Sequence, residues 1–108
     1  MLQEPAYLIL TALSHAPAHG YAIMNTVAAL SDDRVRLRPG TLYAALERFE
    51  HQGWVVVETE TPVDGRLRKT YRLTDEGASV LAAEADQLAS NARMAKRALA
   101  IRLRTKRA

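Results

Sequence analysis

Pro39-Gly40-Thr41-Leu42-Tyr43-Ala44-Ala45-Leu46-Glu47-Arg48-Phe49 opens a segment, PGTLYAALERFEHQGWVVVETETPVDGRLRKTYRLT over residues 39–74, in which a helix is followed at once by two strands. Proline in the first turn starts a helix without losing a hydrogen bond. Leu42, Ala45, Leu46 and Phe49 then recur at i, i+3, i+4 and i+7, the single apolar stripe of an amphipathic helix. Gly53 is placed to end it. Gly40, Thr41, Tyr43, Ala44, Glu47 and Arg48 fall off the stripe and are left for something outside the core. Trp54 to Thr59 is β-branched and aromatic, and Pro62-Val63-Asp64-Gly65 reads as a turn. Arg66 to Leu73 alternates Leu67, Lys69, Tyr71 and Leu73 against Arg66, Arg68, Thr70 and Arg72, so the two strands are expected to form a hairpin.

Working outward, Pro5 followed by Ala6, Tyr7, Leu8, Ile9, Leu10, Ala12 and Leu13 predicts a short, mostly buried first helix, which Pro17 must end. His15 to Gly20 reads as a turn. Tyr21, Met24, Val27, Ala28 and Leu30 fall at helical spacing and define a second helix to about Ser31. In the loop that follows, Arg34, Arg36 and Arg38 alternate with Val35 and Leu37, consistent with an extended piece that points the arginines to one side.

On the C-terminal side Thr74 caps a long helix with Asp75 and Glu76 in its first turn, where the helix dipole favours acids. Ala78, Leu81, Ala85, Leu88, Ala92, Ala95, Leu99 and Leu103 recur in steps of three and four, a heptad-like seam. A helix running to Arg104 is ~45 Å long at the standard rise. One small domain has little to bury along that length, so Leu81, Ala85, Leu88, Ala92, Ala95 and Leu99 are expected to meet a second copy of the chain.

The 108 residues are 48% hydrophobic and 25% charged, the profile of one globular domain. The expected division is 1–74 for a binding domain and 75–108 for a dimerisation helix with a basic tail. No cysteine is present, which excludes disulfides, iron–sulfur clusters, thiolate zinc sites and cysteine nucleophiles. No apolar run is long enough to span a membrane and the first residues do not resemble a signal peptide, so a cytoplasmic protein is expected. Net charge is +3, but residues 1–33 carry −3, residues 34–74 carry +3, residues 75–90 carry −4 and residues 91–108 carry +7. A pI near 9.6 with the basic charge clustered in this way points to a polyanion, most simply nucleic acid.

Three helices, a hairpin and a long helix make a mostly α fold with a small β-hairpin, a winged helix-turn-helix followed by a long C-terminal dimerisation helix. In such a domain the third helix enters the major groove and the hairpin lies along the backbone or minor groove. His19-Gly20-Tyr21, Gly40-Thr41-Leu42-Tyr43 with Leu46 and Arg48, Gly53, and Gly65-Arg66 through Arg68-Lys69, Tyr71 and Leu73-Thr74 to Gly77 resemble the signature of the PadR family of transcriptional regulators. The single long helix resembles its short subfamily. This resemblance implies a homodimeric repressor on a palindromic double-stranded DNA operator, with release by small aromatic or drug-like ligands in several members.

The residues carry a physical reading beside the resemblance. A helix N-terminus offers unpaired N–H groups to a phosphate, Gly40 permits close approach, and Thr41 and Tyr43 add hydroxyl donors. Ala44 stands next on the outward face. The structural alternative is a plain helix start with Tyr43 packed on the wing. Arg66, Arg68 and Lys69 crowd like charges that a polyanion would neutralise, or else protect a hairpin edge from aggregation. Arg38 is the leading candidate in the preceding loop, since Asp32 and Asp33 are available to pair with Arg34 and Arg36. The basic tail either contacts DNA or complements the helix dipole.

Enzyme, cofactor and metal readings have no support. Pro17 keeps His15 and His19 off one helical face, no acid stands near them, and no glycine-rich phosphate loop occurs. Glu47 and Glu50 read as surface charges or partners of Arg48 and His51. Residues 75–108 contain no Trp, Tyr or Phe, a departure from family members that stack drugs on this helix. A small apolar or aromatic effector is then left to Met94, the alanine seam, Tyr7 or Trp54. The alternative function is a winged-helix protein-interaction module, which the salt dependence of binding distinguishes from a DNA-binding protein.

Overall fold

A computed structural model describes residues 1–107. The elements run α1 (Glu4–Leu13), β1 (Ala18–His19), α2 (Gly20–Leu30), α3 (Pro39–His51), β2 (Val55–Val63), β3 (Arg66–Leu73) and α4 (Asp75–Arg107). This is the expected order of helices and hairpin, with one strand added. Ala18 and His19, expected in a turn, pair antiparallel with Tyr71 and Thr70, making a three-stranded sheet in the order β1-β3-β2. Two residues are too few to show alternation, so no periodicity announces β1.

The core is built from Ile9, Leu10 and Leu13 of α1, Ile23 and Val27 of α2, Leu42, Ala45, Leu46 and Phe49 of α3, and Val55 and Tyr71 of the sheet. The α3 stripe is the predicted one. In α2 the outcome differs: Ile23 is fully buried with Val27, whereas Tyr21 is 67% exposed and Leu30 is also exposed. The helix is apolar on most of its circumference, so spacing alone permits several faces. Packing against α1 and α3 selects the one through Ile23 and Val27.

Ser31 ends α2 and is buried; its hydroxyl donates to the Val27 carbonyl at 2.9 Å and accepts from the Val35 N–H at 3.0 Å. Asp32 and Asp33 take left-handed backbone conformations that turn the chain. Val35 and Leu37 then pack against the core, leaving Arg34, Arg36 and Arg38 exposed as the alternation predicts.

The hairpin turn is shorter than expected. Pro62 and Val63 belong to β2, paired with Leu67 and Arg66, and only Asp64 and Gly65 turn, at φ +50° and +77°. Positive φ at both central residues is the type I′ geometry that matches strand twist and explains Asp-Gly. Proline is tolerated because β2 is an edge strand. A register shift lies between Val57 and Thr59. Only the inner part of the wing has a covered face, so Leu67, expected on the apolar side, is 61% exposed.

Thr74 caps α4 as predicted: its hydroxyl accepts from the Gly77 N–H at 3.0 Å and donates to the Gly53 carbonyl at 2.6 Å. The first turns of α4 pack on the domain. Gly77 is buried, Leu81 joins the rim of the core, and Glu84 accepts from the Leu2 N–H at 3.1 Å. Beyond Asn91 every described side chain of α4 is exposed. Thirty-three residues give a helix about 50 Å long, and the molecule measures 69 × 27 × 20 Å. Ala108, the last residue of the expected 75–108 segment, lies outside the described residues.

Candidate nucleic-acid interface

The site is set by the orientation of α3. With Leu42, Ala45, Leu46 and Phe49 turned inward, a rotation of about 100° per residue sends Gly40, Ala44, Glu47 and His51 outward. Thr41 and Arg48 fall to one side of that line and Tyr43 and Glu50 to the other. All of these residues are exposed.

Between α3 and the wing lies a cleft of about 670 Å³. Tyr43, Glu47 and Glu50 form one wall, and Arg66, Leu67, Arg68 and Lys69 form the other. The structure therefore brings Tyr43 together with Arg66, Arg68 and Lys69. Arg38, Gly40 and Thr41 stand at the exposed start of α3 and do not line the cleft, and Ala44 faces a shallow groove with Glu47, Arg48, His51 and Gln52.

Among the cleft residues outside the sequence-derived site are Tyr21, Glu47 and Glu50. Tyr21 sits in the His19-Gly20-Tyr21 motif, which is the one signal that could have found it. His19 is the N-cap of α2, its Nδ1 accepting from the Ala22 N–H at 3.3 Å. A Cβ on Gly20 would stand 2.3 Å from the Tyr43 hydroxyl oxygen, so the absence of a side chain at 20 lets the Tyr43 ring lie over the start of α2. Tyr43 thus packs on α2 while remaining 47% exposed.

The ion pairs sort the basic residues. Arg34 pairs with Glu4 of α1 rather than with an aspartate of its own loop, Arg36 pairs with Asp33 at 3.4 Å, and Arg72 meets Glu58 at 3.7 Å. Among the described residues Arg38, Arg66, Arg68 and Lys69 form no ion pair. Nor do Glu47 and Glu50, so of the two readings offered for them, surface charges or partners of Arg48 and His51, the first describes them.

Tyr71 closes the inner end of the cleft. Burial raises its phenol above the ordinary value, and repulsion from Glu50, Tyr43 and Glu60 adds to this. A folded-state pKa raised above the unfolded one contributes stability fully below the unfolded pKa, near 10, and loses it as pH rises toward the folded value. Denaturant unfolding between pH 9 and 11.5 is expected to show a steeper alkaline loss for the wild type than for Tyr71→Phe. Parallel curves would mean that Tyr71 ionises as freely in the fold as outside it.

The apolar residues of α4 also separate. Leu81, Ala85, Leu88, Ala92, Ala95, Leu99 and Leu103 share one stripe, whereas Met94 and Ile101 lie roughly 140° or more around the helix. Met94 therefore does not lie on the seam within one copy. Trp54 is taken up by Phe49, the rings tilted at 31° with centroids 5.6 Å apart, and Tyr7 is half-buried on α1.

Three core helices, a hairpin wing beside the third and a long terminal helix define a winged helix-turn-helix protein. The model of the transcriptional regulator PadR-like family matches residues 9–83, and the chain belongs to that family. Transcriptional regulator Rv3488 of Mycobacterium tuberculosis is 46% identical over 52 residues, which are 48% of each chain. The chain spans about half the length, or less, of the curated relatives it matches. Among solved structures, a PadR family transcriptional regulator from Eggerthella lenta is 32% identical with a TM-score of 0.71, covering 88% of this chain and 80% of that one. Bacillus subtilis PadR, solved in complex with operator DNA, shares the fold at 22% identity and a TM-score of 0.68, covering 77% of this chain and 48% of that one. No helix among the described residues is long and apolar enough to cross a membrane.

Proposed function

We propose that this transcriptional regulator is a homodimeric repressor that binds a palindromic DNA operator in the cytoplasm. The observation that carries this reading is the cleft, in which an exposed helix face meets three basic side chains that have no acidic partner. In this reading α3 enters the major groove, with Thr41 and Ala44 against base edges and Gly40 letting the backbone approach. Arg38, Tyr43, Arg66, Arg68 and Lys69 hold phosphates, which position the domain without specifying sequence. The Bacillus subtilis PadR complex with operator DNA supports the same use of a shared fold.

Residues 75–108 serve as the dimerisation element in this reading, with Leu81, Ala85, Leu88, Ala92, Ala95 and Leu99 along the seam. Antiparallel pairing sets the acidic first half of one α4 against the basic second half of the other. Two-fold symmetry places half-sites one helical turn apart or a multiple of it. A small apolar or aromatic effector that relieves repression belongs to the same reading, bound between protomers within reach of Tyr7.

Fluorescence anisotropy over a salt series, with DNA from immediately upstream of the protein's own gene and scrambled DNA of equal length, tests the proposal. Tight, sequence-selective binding that weakens steeply with salt is expected. Arg66→Ala and Lys69→Ala should each reduce the log–log salt slope by about one. Unchanged slopes would remove the wing from the interface, and no binding at low salt would leave a protein-interaction module.

A further inference from the structure

The outward line of α3 is nearly bare. Gly40 and Ala44 carry no group that extends beyond the helix surface, and His51 stands at its last residue. Glu47 is the first side chain on that line with hydrogen-bonding atoms. It borders both the cleft on the wing side and the shallow groove on the other, so it sits at the crest of the helix. Among the described residues its carboxylate has no ion-pair partner.

An unpaired carboxylate is a poor element for a surface that grips phosphates, because it is repelled by every duplex regardless of sequence. The repulsion is offset only where the carboxylate accepts a hydrogen bond from a base. In the major groove cytosine presents its N4 amino group as a donor, which suits a carboxylate, whereas guanine presents O6 and N7, both acceptors. Adenine sets a donor beside an acceptor and suits an amide better. Resting on the reading that α3 enters the major groove, we propose that Glu47 is the specificity-determining residue of the recognition helix and reads a cytosine in each half-site. Thr41 and Arg48 flank this line, and Tyr43 is drawn aside onto α2.

Selection of duplexes from a randomised library with the full chain, as wild type, Glu47→Gln and Glu47→Ala, tests this whatever the operator sequence is. Glu47 is exposed on a helix, where alanine and glutamine are both well tolerated. The wild type is expected to enrich a cytosine at one symmetry-related pair of positions. Glu47→Gln should move that preference to adenine, and Glu47→Ala should lose it while the rest of the selected sequence persists. In competition binding, replacing that cytosine should weaken the wild type about fivefold or more and leave Glu47→Ala unaffected. Glu47→Ala should also bind scrambled DNA more tightly than the wild type. Identical selected sequences for the three proteins would overturn the assignment while keeping the operator reading. A wild type that selects no sequence would overturn the operator reading, and the assignment with it.

Discussion

Leu88→Glu combined with Leu99→Glu is expected to convert the proposed homodimer to a monomer by light scattering and to lower affinity for its proposed operator about 100-fold or more. Both residues lie on the α4 stripe with Leu81, at 42% and 61% exposure, on the part of the helix that does not join the core. A two-fold seam would hold four of the introduced carboxylates, and each buried unpaired charge costs several kcal/mol. The affinity loss follows from linkage. Two half-sites held on one body bind with an avidity 10²–10⁴ above either alone, and separated domains lose that gain. Leu81 is left unchanged in this design because it packs on its own domain, so charging it would disturb folding as well as pairing. Thermal unfolding of the wing domain should therefore stay cooperative. Dimers that persist would place pairing on another surface.

Gly77→Ala is expected to destabilise the fold by about 3 kcal/mol, the upper part of the range for forcing an atom into a filled site. Propensity alone predicts the opposite sign, since alanine is favoured over glycine inside a helix by about 0.8–1.0 kcal/mol. Geometry decides the matter. The added Cβ would stand 2.2 Å from the Trp54 carbonyl oxygen and 2.7 Å from Leu73 Cδ1. That carbonyl cannot easily yield, because it accepts from the Thr74 N–H at 3.0 Å while Thr74 Oγ1 is bonded to Gly53. A loss of roughly 10–20 °C in Tm corresponds to this energy in a domain of this size. Gly40→Ala is the control, since a Cβ there meets nothing within 4 Å. A Gly77→Ala protein as stable as the wild type would mean that α4 is not seated on Trp54.

Much of the fold is legible in the sequence because several elements have one-sided patterns. The α3 stripe, the Asp-Gly turn and the Thr74 cap each depend on residues within one turn or one hairpin of each other. The site is legible in part. Arg66, Arg68 and Lys69 stand out as a basic cluster in any reading, but their meeting with Tyr43 in one cleft involves residues more than twenty positions apart. Tyr21 reads as core from spacing alone, because a tyrosine at helical spacing carries no mark of which way it faces, yet it is exposed.

The amino-acid sequence by itself determined the order of the helices and hairpin, the inner and outer faces of α3, the clustering of basic charge and the apolar stripe of α4. All four follow from periodicity, capping and charge, which act over short separations along the chain. Tertiary structure decided which face of α2 is buried, the pairing of Ala18 and His19 with β3, the partner of Arg34, and the close approach of Gly77 to Trp54. These depend on packing between segments far apart in sequence, where shape and the exclusion of water select among faces and partners that local pattern leaves equivalent.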